Sequence, residues 1–160
     1  MNIIVFTSAG GTVIRPDTTW VRKLEDWYVP DFVRHVSLSH VLCARISRPG
    51  KCIAERFAER YYDAVGEGIL FYPEDFLDGS EEGYARCCCL GHTSYICMPD
   101  KDKTLVSVHE REILRRALSE VSVYSMVRSG DILAVETGPR RHLCSRECGE
   151  YGMPGFKIIF

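Results

Sequence analysis

The chain of 160 residues carries eight cysteines and five histidines, and some of them fall close enough together to suggest metal chemistry. His142-x-Cys144-xxx-Cys148 offers an imidazole and two thiols in one short segment, with Cys87, Cys88, Cys89 or His92 as further donors. Nitrogen and sulfur ligands of this kind suit zinc. The spacing is not that of a usual zinc knuckle, and no Cys-xx-Cys pair occurs. The ordinary reading is a set of reduced cysteines, packed as small hydrophobes in core strands and a loop. A cysteine nucleophile would need a nearby base. His92 follows Cys89 by three residues, but nothing else singles out that pair. Asp131, in Ser129-Gly130-Asp131, suits a turn better than a proton-transfer role. His109 opens a helix and should face solvent. No phosphate loop, dinucleotide fingerprint or Gly-x-Ser-x-Gly elbow is present.

The elements that would position these groups read as α+β. Residues 2–6 form an apolar run, Gly10-Gly11 a turn, and 12–14 a second strand stopped by Pro16. Trp20-Val21 and Trp27-Tyr28-Val29 are short β-like pieces. Residues 36–46 alternate as a half-buried strand that ends at Pro49-Gly50. Ile53, Phe57, Ala58, Tyr61 and Val65 fall at three-and-four spacing, which predicts a helix over 52–64, followed by a strand at 69–72. Residues 73–83 read as an acidic loop. Tyr84–Cys89 and Thr93–Met98 read as a hairpin turned at Gly91-His92, with another strand over 104–108. A second helix spans 109–121, with Ser107 as its cap and Glu110 completing a capping box. A strand at Ile132–Val135 follows, then a mostly irregular stretch over 137–155 and a terminal strand. Neither a repeat nor a long linker interrupts the chain, so residues 1–160 are expected to form a single domain.

Three segments add to this reading: VIRPDTTWVRKLEDWYVPDF at 13–32, GKCIAERFAERYYDAV at 50–65 and SEVSVYSMVRSGDILAV at 119–135. Their wording resembles the fumarylacetoacetate hydrolase superfamily, in its shorter, single-domain bacterial branch. The resemblance implies a mixed β-sandwich roll with two main helices, usually dimeric. It also implies a chain shortened around 76–106, where the family builds a substrate-facing wall. Active members, on this resemblance, hold magnesium, manganese or calcium on three carboxylates, because hard cations require hard anionic oxygens. Two come from a Glu-x-Glu on a strand and the third from an Asp on the strand after the helix. Those positions fall on Ser39, Val41 and Leu70. Valine and leucine cannot ligate and a serine hydroxyl is a weak ligand, so no metal and no cofactor are expected.

The rest of the implied site has drifted as well. The family's Gly-Arg-Asn-Tyr segment and its acid-base histidine have no counterpart. The lysine of Phe-x-Lys-Pro becomes Arg15, which keeps a charge for a carboxylate but does not shuttle protons at neutral pH. The arginine of Ala-Arg-Asp becomes Glu74, while Asp75 survives. The Thr-Gly-Thr-Pro loop becomes Glu136-Thr137-Gly138-Pro139 and retains backbone N–H groups. Arg15, Asp75, Thr137 and Gly138 are therefore the expected ligand-binding positions. His35 and His40 flank the vacated strand, and His40 is expected to pack rather than bind.

The composition limits the remaining options. At 46% hydrophobic, a chain of this length can bury roughly two thirds of its unfolded surface. A net charge of −2 gives no electrostatic argument for nucleic acid or an anionic membrane. MNIIVFTSAGG lacks a basic leader and reads as a strand, and the cysteine usage fits a reducing cytoplasm. Three functions follow as expectations. The first is a non-catalytic protein: a homodimeric scaffold, a binder of a small carboxylic acid, or a regulatory subunit paired with an active relative. The second is a residual hydrolase, decarboxylase or isomerase of oxo-acids such as acylpyruvates. The third is a zinc- or redox-linked cysteine module.

Overall fold

The structure, a computed structural model, describes residues 1–23, 25–99, 102–103, 106–143 and 155–160. Its elements are β1 (Asn2–Phe6), β2 (Thr12–Pro16), β3 (Trp20–Val21), β4 (Trp27–Tyr28), β5 (Val36–Ile46), β6 (Tyr62–Pro73), α1 (Glu81–Cys89), β7 (Ser94–Cys97), α2 (Val108–Tyr124), β8 (Ile132–Glu136), β9 (Arg141–Leu143) and β10 (Ile158–Ile159). The main sheet has eight strands in the order β2-β1-β8-β5-β6-β7-β3, with β9 added beside β5. β1 runs parallel to β8 and β3 parallel to β7, while the long β5–β6 pair is antiparallel. The sheet is thus mixed and the class α+β, as the sequence suggests. Among the described residues no helix is long and apolar enough to cross a membrane.

β5 is covered on both faces rather than one. Its even-numbered residues Leu42, Ala44 and Ile46 pack with Leu114, Ala117, Leu118 and Val121 of α2. Its odd-numbered Val41 and Cys43 pack with Ile3, Ile132 and Cys87 of α1. The two-residue period of a strand separates these two cores cleanly. A third cluster joins Val36, Leu38, Ile69 and Phe71 to the small β4–β10 sheet. There Trp27 stacks on Phe71 at 5.0 Å and Tyr95 on Phe156 at 3.9 Å. Aromatic pairs of this kind contribute about 0.5–1.5 kcal/mol each beyond the area they bury.

α2 begins where its cap chemistry places it. The Ser107 hydroxyl accepts from the Glu110 N–H at 3.2 Å, and the Glu110 carboxylate accepts from the Ser107 N–H at 2.7 Å. Between β6 and β7 the backbones approach closely. A Cβ added at Gly66 would lie 2.1 Å from the Cys97 carbonyl oxygen, and one at Gly68 would lie 2.6 Å from that of Tyr95.

Four sequence expectations need correction. The helix over 52–64 is a 3-10 helix at Glu55–Arg60 that leads directly into β6. The apolar stripe is real in part, since Ile53, Ala58 and Val65 are all buried in one core, but they come from a loop, a 3-10 turn and a strand. Phe57 stays exposed, flanked by Arg56 and Arg60. Tyr84–Cys89 is helix, not strand: Ser80 caps it by accepting from the Gly83 N–H at 3.0 Å, and Glu81 and Glu82 occupy the first turn. Acidic side chains there complement the helix dipole. Val106 and Ser107 are not strand, and 104–105 lie outside the described residues. His40 is exposed rather than packed.

Candidate functional site

Ser39 and Leu70 stand directly opposite one another on β5 and β6, and Val41 lies two residues along the same face. The register therefore places the three residues on one face. All are closed to solvent: Ser39 is 1%, Val41 2% and Leu70 0% exposed. Val41 and Leu70 belong to the core that also holds Ile3, Val5, Cys43 and Ile132. Ser39 donates its hydroxyl hydrogen to the carbonyl of His40 at 3.5 Å. One hydroxyl and two aliphatic side chains do not fit a hard divalent cation. Among the described residues no group of three His, Cys, Asp or Glu side chains is arranged to hold an ion.

A guanidinium shares this face. Ser94 pairs with Leu70, and Arg15 reaches the Ser94 hydroxyl at 3.4 Å from β2. Arg15 is wholly buried; one terminal nitrogen donates to the carbonyl and hydroxyl of Thr93 at 3.2 Å, the other to the carbonyl of Phe71 at 3.0 Å. Its guanidinium carbon lies 4.3 Å from the centroid of the Tyr72 ring, and its Nε is left without a hydrogen-bond partner. Carbonyl and hydroxyl oxygens thus hold this cation, and Arg15 does not present itself to a small acid from solvent.

One carboxylate does share the face, which the sequence reading did not anticipate. Glu136 pairs with Val41 across the β5–β8 ladder and is 7% exposed. It accepts from the Ser8 N–H at 2.9 Å, the Tyr72 hydroxyl at 2.7 Å and Arg140 Nε at 3.3 Å. Burial pushes the Glu136 carboxyl up, but the Ser8 N–H, Tyr72 and Arg140 outweigh it and hold the group below its ordinary value. Burial raises the Tyr72 phenol, with the nearby guanidiniums opposing. Arg140 covers the Tyr72 ring at 3.6 Å and donates to the Tyr84 hydroxyl of α1 at 3.2 Å. Two guanidiniums, one carboxylate and two phenols thus tie β2, β6, β8 and α1 together, with only the Arg15 Nε of that set left unmatched. Its only sequence signal was Glu136 itself, a charged residue closing an otherwise apolar strand.

No family model matches the sequence, and no curated protein matches it. Solved structures do match. A fumarylacetoacetate hydrolase family protein from Yersinia pestis CO92 superimposes with a TM-score of 0.77 at 14% identity, covering 99% of this chain and 92% of that one. The fumarylpyruvate hydrolase from Pseudomonas aeruginosa, solved with Mn2+ and pyruvate, gives 0.70 at 13% identity over 99% and 89% of the two chains. The 5-carboxymethyl-2-hydroxymuconate delta-isomerase from Mycobacterium smegmatis gives 0.72 at 13%, covering 89% and 70%. The chain has the fumarylacetoacetate hydrolase fold. At these identities the likeness is one of architecture, and the side chains must be read on their own.

Within this fold the four expected ligand-binding residues do not converge. Arg15 is buried, as described. Asp75 accepts from the backbone N–H groups of Arg34 and His35 at 2.8 and 2.9 Å, a structural tie between β5 and the turn after β6. Burial raises its carboxyl, but those N–H groups and the neighbouring His35 bring it below its ordinary value. Thr137 is exposed, and its N–H and hydroxyl both donate to the His40 carbonyl, at 3.0 and 3.2 Å. Thr137 and Gly138 line an open cleft of about 690 Å³, with the Thr7–Gly10 turn on one side and Ile113, Arg116 and Glu120 of α2 on the other.

The cysteine chemistry divides in the same way. His142 lies on β9, its Nδ1 2.9 Å from a Glu74 carboxylate oxygen. Cys144 and Cys148 lie outside the described residues, so the zinc set is not assembled on view. Cys43, Cys87 and Cys88 are buried free thiols, and Cys52, Cys89 and Cys97 are exposed free thiols. Burial pushes the Cys87 thiol up to about 12, with Arg15 opposing, and also raises Cys43 and Cys88. These buried thiols are packing groups rather than nucleophiles. Asp131 is a turn residue as expected, accepting from the N–H groups of Asn2 at 2.9 Å and Arg128 at 2.8 Å.

Proposed function

We propose that this protein is a non-catalytic bearer of the fumarylacetoacetate hydrolase fold, acting as a dimeric scaffold or regulatory partner rather than as a metal-dependent hydrolase. The observation that carries the reading is the replacement of the centre. Ser39, Val41 and Leu70 are sealed in a core, and the buried guanidinium of Arg15 lies on the same face. A fixed positive charge repels a divalent cation, and Glu136, the carboxylate on that face, is already bonded to Arg140 and Tyr72. Binding of a small acid is assigned to the cleft beside Thr137 and Gly138, where Arg116, 3.9 Å from Glu120, supplies the cation.

Isothermal titration with Mg2+, Mn2+ and Ca2+, together with assays on an acylpyruvate and on oxaloacetate, tests this reading. No binding of these ions and no turnover is the expected result. Turnover abolished by a chelator would replace it with the residual-enzyme reading. Sedimentation of the purified chain tests the dimer, and a monomer at micromolar concentration removes that part.

A further inference from the structure

We propose that His35 and His142 form a surface site for a borderline divalent transition-metal ion, such as zinc or nickel, with Glu74 orienting the His142 imidazole and Asp75 beside His35. The rings lie 6.1 Å apart between centroids and 28° from coplanar. His142 Nδ1 is 2.9 Å from Glu74 Oε2, and His35 Nδ1 is 3.6 Å from Asp75 Oδ1. At His142 the contact is a hydrogen bond, and donation of Nδ1–H to Glu74 leaves Nε2 free to ligate, as outer carboxylates do for metal-bound histidines. At His35 the 3.6 Å separation makes Asp75 a nearby charge rather than a hydrogen-bond partner.

The scaffold beneath the pair is fixed. The N–H groups of Arg34 and His35 donate to Asp75, Glu74 donates its N–H to the His35 carbonyl at 2.8 Å, and β9 sets His142 opposite Ser37 of β5. The imidazoles themselves are half exposed, at 54% and 52%, so an ion can reach them and they can turn toward it. Two imidazoles bound side by side on one ion hold their ring centres roughly 4.5–5.2 Å apart, given metal–nitrogen bonds of about 2 Å. From 6.1 Å the two exposed rings need to close by about 1 Å. As they stand, no three His, Cys, Asp or Glu side chains among the described residues converge. Water therefore completes the shell, and the ion is exchangeable rather than structural. Imidazole donors select against magnesium and calcium. The site shares no residue with the filled centre, so it stands whether or not the protein is catalytically silent.

Nickel and cobalt titrations of the full chain test the proposal. One equivalent of Ni2+ should bind the unaltered protein, and His35→Gln or His142→Gln should each weaken binding at least tenfold. Glu74→Gln should weaken it severalfold through the orientation of His142. His40→Ala and His109→Ala, both at exposed histidines, should change nothing. Histidine nitrogen resonances of the unaltered chain should shift at two residues on zinc addition, which keeps the test open if a variant folds poorly. Unchanged affinity in either glutamine variant would overturn the site. A thiolate-to-cobalt charge-transfer band, or no binding of Ni2+, Co2+ or Zn2+, would overturn it equally.

Discussion

Arg15 lies across the ring of Tyr72, its guanidinium carbon 4.3 Å from the ring centroid. The contact places a permanent cation deep in the sheet without a carboxylate of its own; carbonyl and hydroxyl oxygens and a π face share its charge. Lysine would supply the same charge as a compact ammonium, without the planar fork that spans the carbonyls of Thr93 and Phe71. Arg15→Lys should therefore cost at least about 2 kcal/mol, the scale of leaving buried acceptors unmatched. Urea denaturation of the two proteins measures it. Pyruvate should not raise the melting temperature of either through this residue.

Leu70 is now a core residue and should behave as one. Leu70→Ala removes a side chain with 0% exposure and should destabilise the protein by about 2–5 kcal/mol. Adding Mn2+ should leave the loss unchanged in a thermal melt.

The Glu136 carboxyl titrates below its ordinary value in the folded protein. Its stabilising contribution is thus present above the unfolded-state value of 4.5 and is lost as pH falls through the lower folded-state value. Glu136→Gln should lower stability at neutral pH and flatten the decline below about pH 4.5. Denaturation midpoints between pH 3 and 7 report both effects.

Thiol reactivity should divide along the burial line. Brief alkylation of the native protein should modify Cys52, Cys89 and Cys97 and spare Cys43, Cys87 and Cys88. Peptide mass spectrometry reads the pattern, and rapid labelling of Cys87 would show that α1 opens.

The parts that sequence made legible are those with a local cause. Strand β5 and helix α2 appear where alternation, an apolar stripe and the Ser107–Glu110 box place them. The register of β5 against β6 sets Ser39 opposite Leu70, with Val41 two residues along the same face. The misreadings have tertiary causes. The stripe Ile53–Ala58–Val65 mimics a helix because three separate elements feed one core. The consecutive cysteines read as strand although the Ser80 cap and the acids after it mark a helix start. The Glu136–Tyr72–Arg140–Tyr84 network was invisible because Tyr72 lies 64 residues from Glu136 and Tyr84 lies 56 from Arg140, and only the folded sheet brings them together. Arg15 looked available because periodicity says nothing about what closes over an edge strand.

The close passage of β7 over Gly66 and Gly68 bears on how other chains of this type would be recognised. At Ser39, Val41 and Leu70 the core asks only for matching bulk, so exchange among residues of similar volume is tolerated there. At the two glycines a single methyl group would strike a carbonyl oxygen and prise the strands apart. A signature for chains of this kind would then be a Gly-x-Gly on β6 against β7 together with an arginine on the edge strand β2, rather than any pattern of acids.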